Sequence, residues 1–248
     1  MERRIAKHES EVPQMKRIGV IGGFGQWATL DVMERILKES VVRVPQYGNR
    51  GYPPMDIRMC NRAPMLLNED GSFPDMLEPS PELLDAARFV GANAAFVILL
   101  ANTPHLFAKQ VEEAAGKPLL SIVDVTVNEA VRRNYRRVGV MAIGVTVKKR
   151  LYQDPLEERG IESVTLPKEL SDRLDDEGVY PIQEGANPEE VSDIAFKVVE
   201  YLRGQKVDGI ILGCTEIPIL LGKTSTDSDI LNPSQLLAKA AVKRALEG

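Results

Sequence analysis

Gly209-Ile210-Ile211-Leu212-Gly213-Cys214-Thr215-Glu216 is an apolar run of strand length that stops at a glycine and passes directly into polar residues at a helix start. An earlier stretch, Val97-Ile98-Leu99-Leu100-Ala101-Asn102-Thr103-Pro104, follows the same plan: apolar strand, small residue, polar pair, helix start. The likeness reads as an internal repeat with Ala101 and Cys214 in equivalent places. Further strand-length apolar runs lie at Ile18–Gly23, Ile57–Asn61, Ala95–Leu100, Leu119–Val123, Val138–Ile143 and Ile230–Asn232. Between them, helical spacing marks Ala28–Glu39, Pro81–Val90, Pro104–Ala115, Val125–Arg133, Pro188–Arg203 and Pro233–Leu246. Pro81, Pro104, Pro188 and Pro233 each fall near a first helical turn, where the missing N–H costs nothing. The alternation predicts an α/β protein with mostly parallel strands and helices on both faces.

A chain of 248 residues suffices for two α/β lobes or one large sheet around a substantial core. With 44% hydrophobic and 27% charged residues and a net charge of -5, it lacks the basic footprint of a nucleic-acid binder. No run approaches the roughly 18 apolar residues of a membrane span. Met1-Glu2-Arg3-Arg4 leads into polar residues instead of a signal h-region, so a cytoplasmic protein is expected. Residues 1–15 read as a loose extension holding a solvated His8. Residues 44–54 and 64–80, rich in Pro, Gly and Asn, read as long loops over strand ends, suited to shaping a site. Two cysteines (Cys60, Cys214) and two histidines (His8, His105) are too few for a metal cluster. Ending different strands in a reducing compartment, the cysteines read as free thiols instead of a disulfide.

Strand carboxyl ends are where ligands bind in parallel sheets, and Cys214 stands at one. Unpaired N–H groups at the following helix start would favour thiolate, so Cys214 reads as a reactive thiol; the alternative is that it merely packs. Glu216 is either a first-turn acid or a group that tunes that thiol. Thr103 and Thr215 suit helix caps and also donation to a substrate carboxylate. Gly23-Phe24-Gly25-Gln26-Trp27-Ala28 fits G-x-G-x-x-A, a dinucleotide signature. Its acidic partner is missing, because the second strand ends Met59-Cys60-Asn61-Arg62 and Asp56 stands at its beginning. Arg62 suits a 2′-phosphate, which leaves NADP open; a glycine turn approached by a small anion explains the same residues with less. No G-x-S-x-G elbow accompanies His105, which reads as a cap or pocket wall instead of a general base. Cys60 either lines the same cleft or packs, and packing is the simpler reading.

Three separated motifs carry a family resemblance that runs from about Arg17 to the last helix. They are Ile18-Gly19-Val20-Ile21-Gly22-Gly23-Phe24-Gly25 with Ala28-Thr29, then Asn102-Thr103-Pro104-His105, and Gly213-Cys214-Thr215-Glu216 with Pro218. The chain resembles the cofactor-independent aspartate/glutamate racemase superfamily, most closely its aspartate racemase branch. The resemblance implies two pseudo-symmetric α/β lobes, residues 16–123 plus 224–248 and residues 124–223, with the active site in the cleft between them. It also implies a homodimer, a small carboxylate or amino-acid substrate, and neither metal nor cofactor.

Racemisation takes a proton from one face of Cα and returns one to the other, so two acid/base groups must flank the carbon. In the family two cysteines do this, one before Asn-Thr and one before Thr-Glu. Here the second is Cys214, but the first position holds Ala101, whose methyl group moves no proton. An engineered replacement, a natural member using water or another residue, and one-base chemistry compete as explanations. Related decarboxylases of malonate-like acids keep a single cysteine at the second motif and offer another reading, and a lapsed small-carboxylate binding protein a third. Carried over residue by residue, Gly23, Phe24, Gly25, Asn102, Thr103 and Thr215 would contact substrate, with Thr146 near the α-carboxylate. The family's side-chain cation is offset to Arg62, and a second basic position falls on Arg173.

Overall fold

The computed structural model describes residues 12–247. His8 and most of the 1–15 extension lie outside the described residues. The end of that extension is not loose: Met15 is buried, Val12 packs beside it, and Lys16 N donates to Ala245 O at 2.8 Å. Apolar side chains there gain more by joining the core than by remaining in water.

Strands β1 (Ile18–Gly22), β2 (Met55–Met59) and β3 (Phe96–Leu99) form a parallel sheet in the order β2-β1-β3. Strands β4 (Arg137–Met141), β5 (Glu162–Val164), β6 (Gly209–Leu212) and β7 (Ile230–Leu231) form a second, in the order β5-β4-β6-β7. The longer helices are α1 (Gln26–Arg43), α2 (Pro81–Gly91), α3 (Ala108–Ala115), α4 (Ile122–Arg132), α5 (Lys168–Leu174), α6 (Asp193–Gly204), α7 (Ile217–Leu221) and α8 (Pro233–Leu246). Pro81, Pro188 and Pro233 each open a helix as expected, and Pro104 opens a 3-10 turn over Thr103–Phe107. Among the described residues no helix is long and apolar enough to cross a membrane.

The internal repeat is visible in strand register. Gly19 pairs with Val97 and Ile21 with Leu99, while Gly139 pairs with Ile210 and Met141 with Leu212. Two residues past Leu99 stands Ala101, and two past Leu212 stands Cys214. On the far side, Val97 bridges Leu119 in parallel where Ile210 pairs with Ile230. The predicted strand Leu119–Val123 is thus reduced to one bridge: Ser121 accepts a hydrogen bond from Asp124 N and starts α4 at once. Residues 224–248 divide between the halves, since β7 joins the second sheet while α8 packs on α1 and α4. The predicted Pro188–Arg203 helix breaks at Ser192 into Pro188–Val191 and α6.

Alternate residues on each strand enter different cores, as the period of two requires. Ile18, Val20, Phe96 and Ile98 of the first sheet and Val138, Val140 and Ile211 of the second face one shared layer. That layer is filled by Val32 and Ile36 of α1, Ile122 and Val127 of α4, and Leu237, Ala241 and Val242 of α8. Ile21, Val97 and Leu99 face outward under α2 and α3, and Met141, Ile210 and Leu212 under α6. Both sheets are anchored on the same helices, and the loop at 64–80 ties the halves again, Lys149 Nζ donating to Asp75 O at 2.5 Å.

Leu237 is fully buried in the shared layer. Leu237→Ala is expected to cost about 2–5 kcal/mol, read as a lower urea midpoint with unchanged slope.

Candidate active site

A cavity of 520 Å³ opens at the carboxyl ends of both sheets. Gly23, Phe24 and Gly25 reach it after β1, Asn61 and Arg62 after β2, and Ala101, Asn102 and Thr103 after β3. From the second half come Ile143 and Val145 after β4 and Gly213, Cys214, Thr215 and Glu216 after β6. Ten of the twelve residues singled out from sequence therefore line one cavity, leaving out Thr146 and Arg173.

Two titratable groups of the cavity wall, Cys214 and Glu216, are 6% and 2% exposed. Cys214 Sγ donates to Glu216 Oε2 at 3.0 Å, Thr215 Oγ1 donates to the same oxygen at 3.3 Å, and Gln183 Nε2 donates to Oε1 at 3.1 Å. Burial pushes the thiol well above its usual range, and the neighbouring carboxylate pushes it further. Burial likewise raises the Glu216 carboxyl. A thiolate favoured by the following helix is not what the surroundings support: α7 spans only five residues, and burial beside a carboxylate pushes the thiol up. The thiol and the carboxyl thus share one hydrogen bond, and burial pushes both groups upward.

Gly25 makes this arrangement possible. A Cβ there would collide with Glu216 Oε1, so the backbone at the start of α1 lies directly against the carboxylate. A pyrophosphate entering that turn would meet a buried negative charge, which opposes the dinucleotide reading. Gly23, at a φ of 91°, lies against the Cys60 backbone and leaves no room for a side chain. Gln26, which sequence reasoning passed over, donates to Gly23 O at 3.2 Å and Cys60 O at 3.1 Å, fixing the turn.

The other wall is supported from behind. His105 does not line this cavity; its Nδ1 bonds Ala101 O at 2.9 Å, and its Nε2 accepts from Ile122 N at 3.2 Å. The latter bond puts the proton on Nδ1, and burial lowers the imidazole to about 4, so it is a neutral strut. Tyr152, fully buried and unforeseen, donates to Asn102 Oδ1 at 2.5 Å and leaves Asn102 Nδ2 without a protein partner. Its only sequence signal was an aromatic in a polar stretch. Thr103 and Thr146 share a hydroxyl hydrogen bond of 2.8 Å that joins the halves, so Thr146 acts behind the wall.

Neither Thr103 nor Thr215 caps a helix; the cap positions belong to Asn102 and Glu216, without a side-chain cap bond. Arg173 is placed elsewhere: Ser171 and Leu174 take the buried face of α5, and Arg173 pairs with Glu177 at 2.6 Å in solvent. Arg62 is the cation that lines the cavity, and among the described residues it meets no carboxylate within ion-pair distance. Cys60 is buried in the outer core of the first sheet, and both cysteines are free. Among the described residues no group of three or more His, Cys, Asp or Glu is placed to hold a metal.

In a Cys60→Ser background, alkylation of Cys214 by iodoacetamide should rise with pH only above the ordinary thiol range. Glu216→Gln removes the charge that opposes thiolate, so the midpoint should move to lower pH. An unchanged or higher midpoint would contradict the coupling.

A sequence model of the Asp/Glu/Hydantoin racemase family matches residues 21–241. The broad specificity amino-acid racemase RacX of Bacillus subtilis (strain 168) is 23% identical over 92% of this chain and 98% of its own. An aspartate racemase homologue from Pyrococcus horikoshii OT3 superimposes with a TM-score of 0.69 at 25% identity, over 94% of this chain and 100% of that one. The Picrophilus torridus aspartate racemase shares the fold with a TM-score of 0.73 at 18% identity, covering 93% and 94% of the two chains. A variant of arylmalonate decarboxylase shares it more distantly, with a TM-score of 0.54 at 16% identity over 94% of each chain. With the match spanning most of its length, the chain belongs to the Asp/Glu/Hydantoin racemase family.

Proposed function

We propose that this chain is a cytoplasmic, cofactor-independent amino-acid racemase in which Cys214 is the acid/base on one face of the substrate and Ala101 stands where the opposite base would be. The observation that carries the reading is the buried Cys214 thiol bonded to Glu216 in the wall of the cavity. Glu216 takes the thiol proton, the thiolate removes the Cα proton, and the electron pair passes into the substrate carboxylate. Asn102 Nδ2 and the Thr103 hydroxyl, with Thr146 donating to the latter, are the donors for charge developing there. The proton returns to Cα from Cys214, or from the Ala101 side through a group other than that methyl. The aligned apolar side chains Trp27, Leu30, Leu37 and Val41 on the exposed face of α1 support the homodimer that the resemblance implies.

Proton NMR in deuterium oxide tests the chemistry. With a panel of amino acids, loss of the Cα–H signal is expected and should fall at least about 100-fold in Cys214→Ser. Ala101→Cys should raise D/L interconversion relative to exchange. No exchange with any amino acid, in either background, sinks the reading. The small residue at 101 opposite a single thiol also suits decarboxylation of malonate-like acids, for which substrate-dependent release of carbon dioxide is the discriminating measurement.

A further inference from the structure

The substrate's side chain must lie against whatever part of the cavity the reacting groups leave free. That part is apolar. Met65, Leu67 and Phe73 approach from the loop after β2, and Ile143, Val145 and Tyr180 from the second half. Two of the amides lining the cavity are spent on the protein, Gln183 on Glu216 and Gln26 on the carbonyls of Gly23 and Cys60, and Asn102 Nδ2 is reserved for the reacting carboxylate. A side-chain carboxylate against Met65, Leu67, Phe73, Ile143 and Val145 would lose water and gain no hydrogen bond from them.

Charge points the same way. Arg62 is the cation of the cavity and is exposed to solvent, while Glu216 is a buried carboxylate already engaged by the thiol. One cation balances one substrate carboxylate. A second carboxylate would compete for a water-screened guanidinium in a cavity that already holds a negative charge. Arg173, the other candidate cation, is paired with Glu177 outside it.

From this wall and this charge count we infer that the site selects amino acids with uncharged, apolar side chains, such as leucine, methionine or phenylalanine, over aspartate and glutamate. The inference rests on the amino-acid reading of the site but concerns binding, and so is tested apart from turnover.

Calorimetric titration of the intact protein with both enantiomers of leucine, methionine, phenylalanine, aspartate and glutamate should show the best apolar ligand binding at least ten-fold more tightly than either acid. Acids binding equally well or better, or no apolar amino acid binding at all, would overturn it. Leu67 is on the surface side of this wall, so Leu67→Arg adds a second cation at little risk to the core. It should reduce the preference at least ten-fold, and an unchanged preference would refute the placement of the side chain against Leu67. Deuterium exchange separates the two claims: apolar binding without exchange defeats the catalytic reading alone, whereas exchange confined to acids defeats the specificity inference alone.

Discussion

Two parallel sheets share one hydrophobic layer, and the geometry of the site depends on that sharing. The inner faces of β1, β3, β4 and β6 are dehydrated against the same helices, α1, α4 and α8. Hydrophobic burial is non-directional, but the pleat makes it directional by forcing alternate side chains into opposite layers. Once both inner faces are committed, the carboxyl ends of β3 and β6 bring Ala101 and Cys214 to a common cavity. A helix that served only one sheet would not fix the separation of the two ends. Helix α8 serves both, which is why the last residues of the chain matter to chemistry begun after the first strand.

Within that frame the costliest feature is a buried carboxylate. Glu216 keeps its place because a thiol, a hydroxyl and an amide donate to it and because Gly25 admits it against the backbone. Desolvation raises both the thiol and its acceptor, which brings a weak acid and a weak base within reach of one another. Opposite, around Ala101, the wall is held by neutral groups. There Tyr152, His105 and Thr146 hold Asn102, Ala101 and Thr103 through neutral hydrogen bonds.

Six of the seven predicted strand regions are strands, and all of these but the largely exposed β2 read as apolar runs because they are buried on both faces. The exception, Leu119, lost its strand to a serine cap two residues later. The segment between Gly144 and Gln183 was opaque: its elements are five residues or fewer, apart from α5, too short for helical or strand periodicity to declare itself. The site motifs were legible because they sit at strand ends. Arg173 was misplaced because its role depended on a helix face that spacing alone did not orient. The state of Cys214 was misjudged because burial, the larger effect, leaves no mark in the local sequence.

The Ala101 position bears on stereochemistry. A cavity with matched thiols on both walls would present a proton donor to either face of the reacting carbon. Replacing one thiol by a methyl group breaks that equivalence while leaving the two-fold frame intact. Under the proposed chemistry, a planar intermediate between Ala101 and Cys214 would meet sulfur on one side and hydrocarbon on the other, and protonation by the thiol would be delivered to a single face.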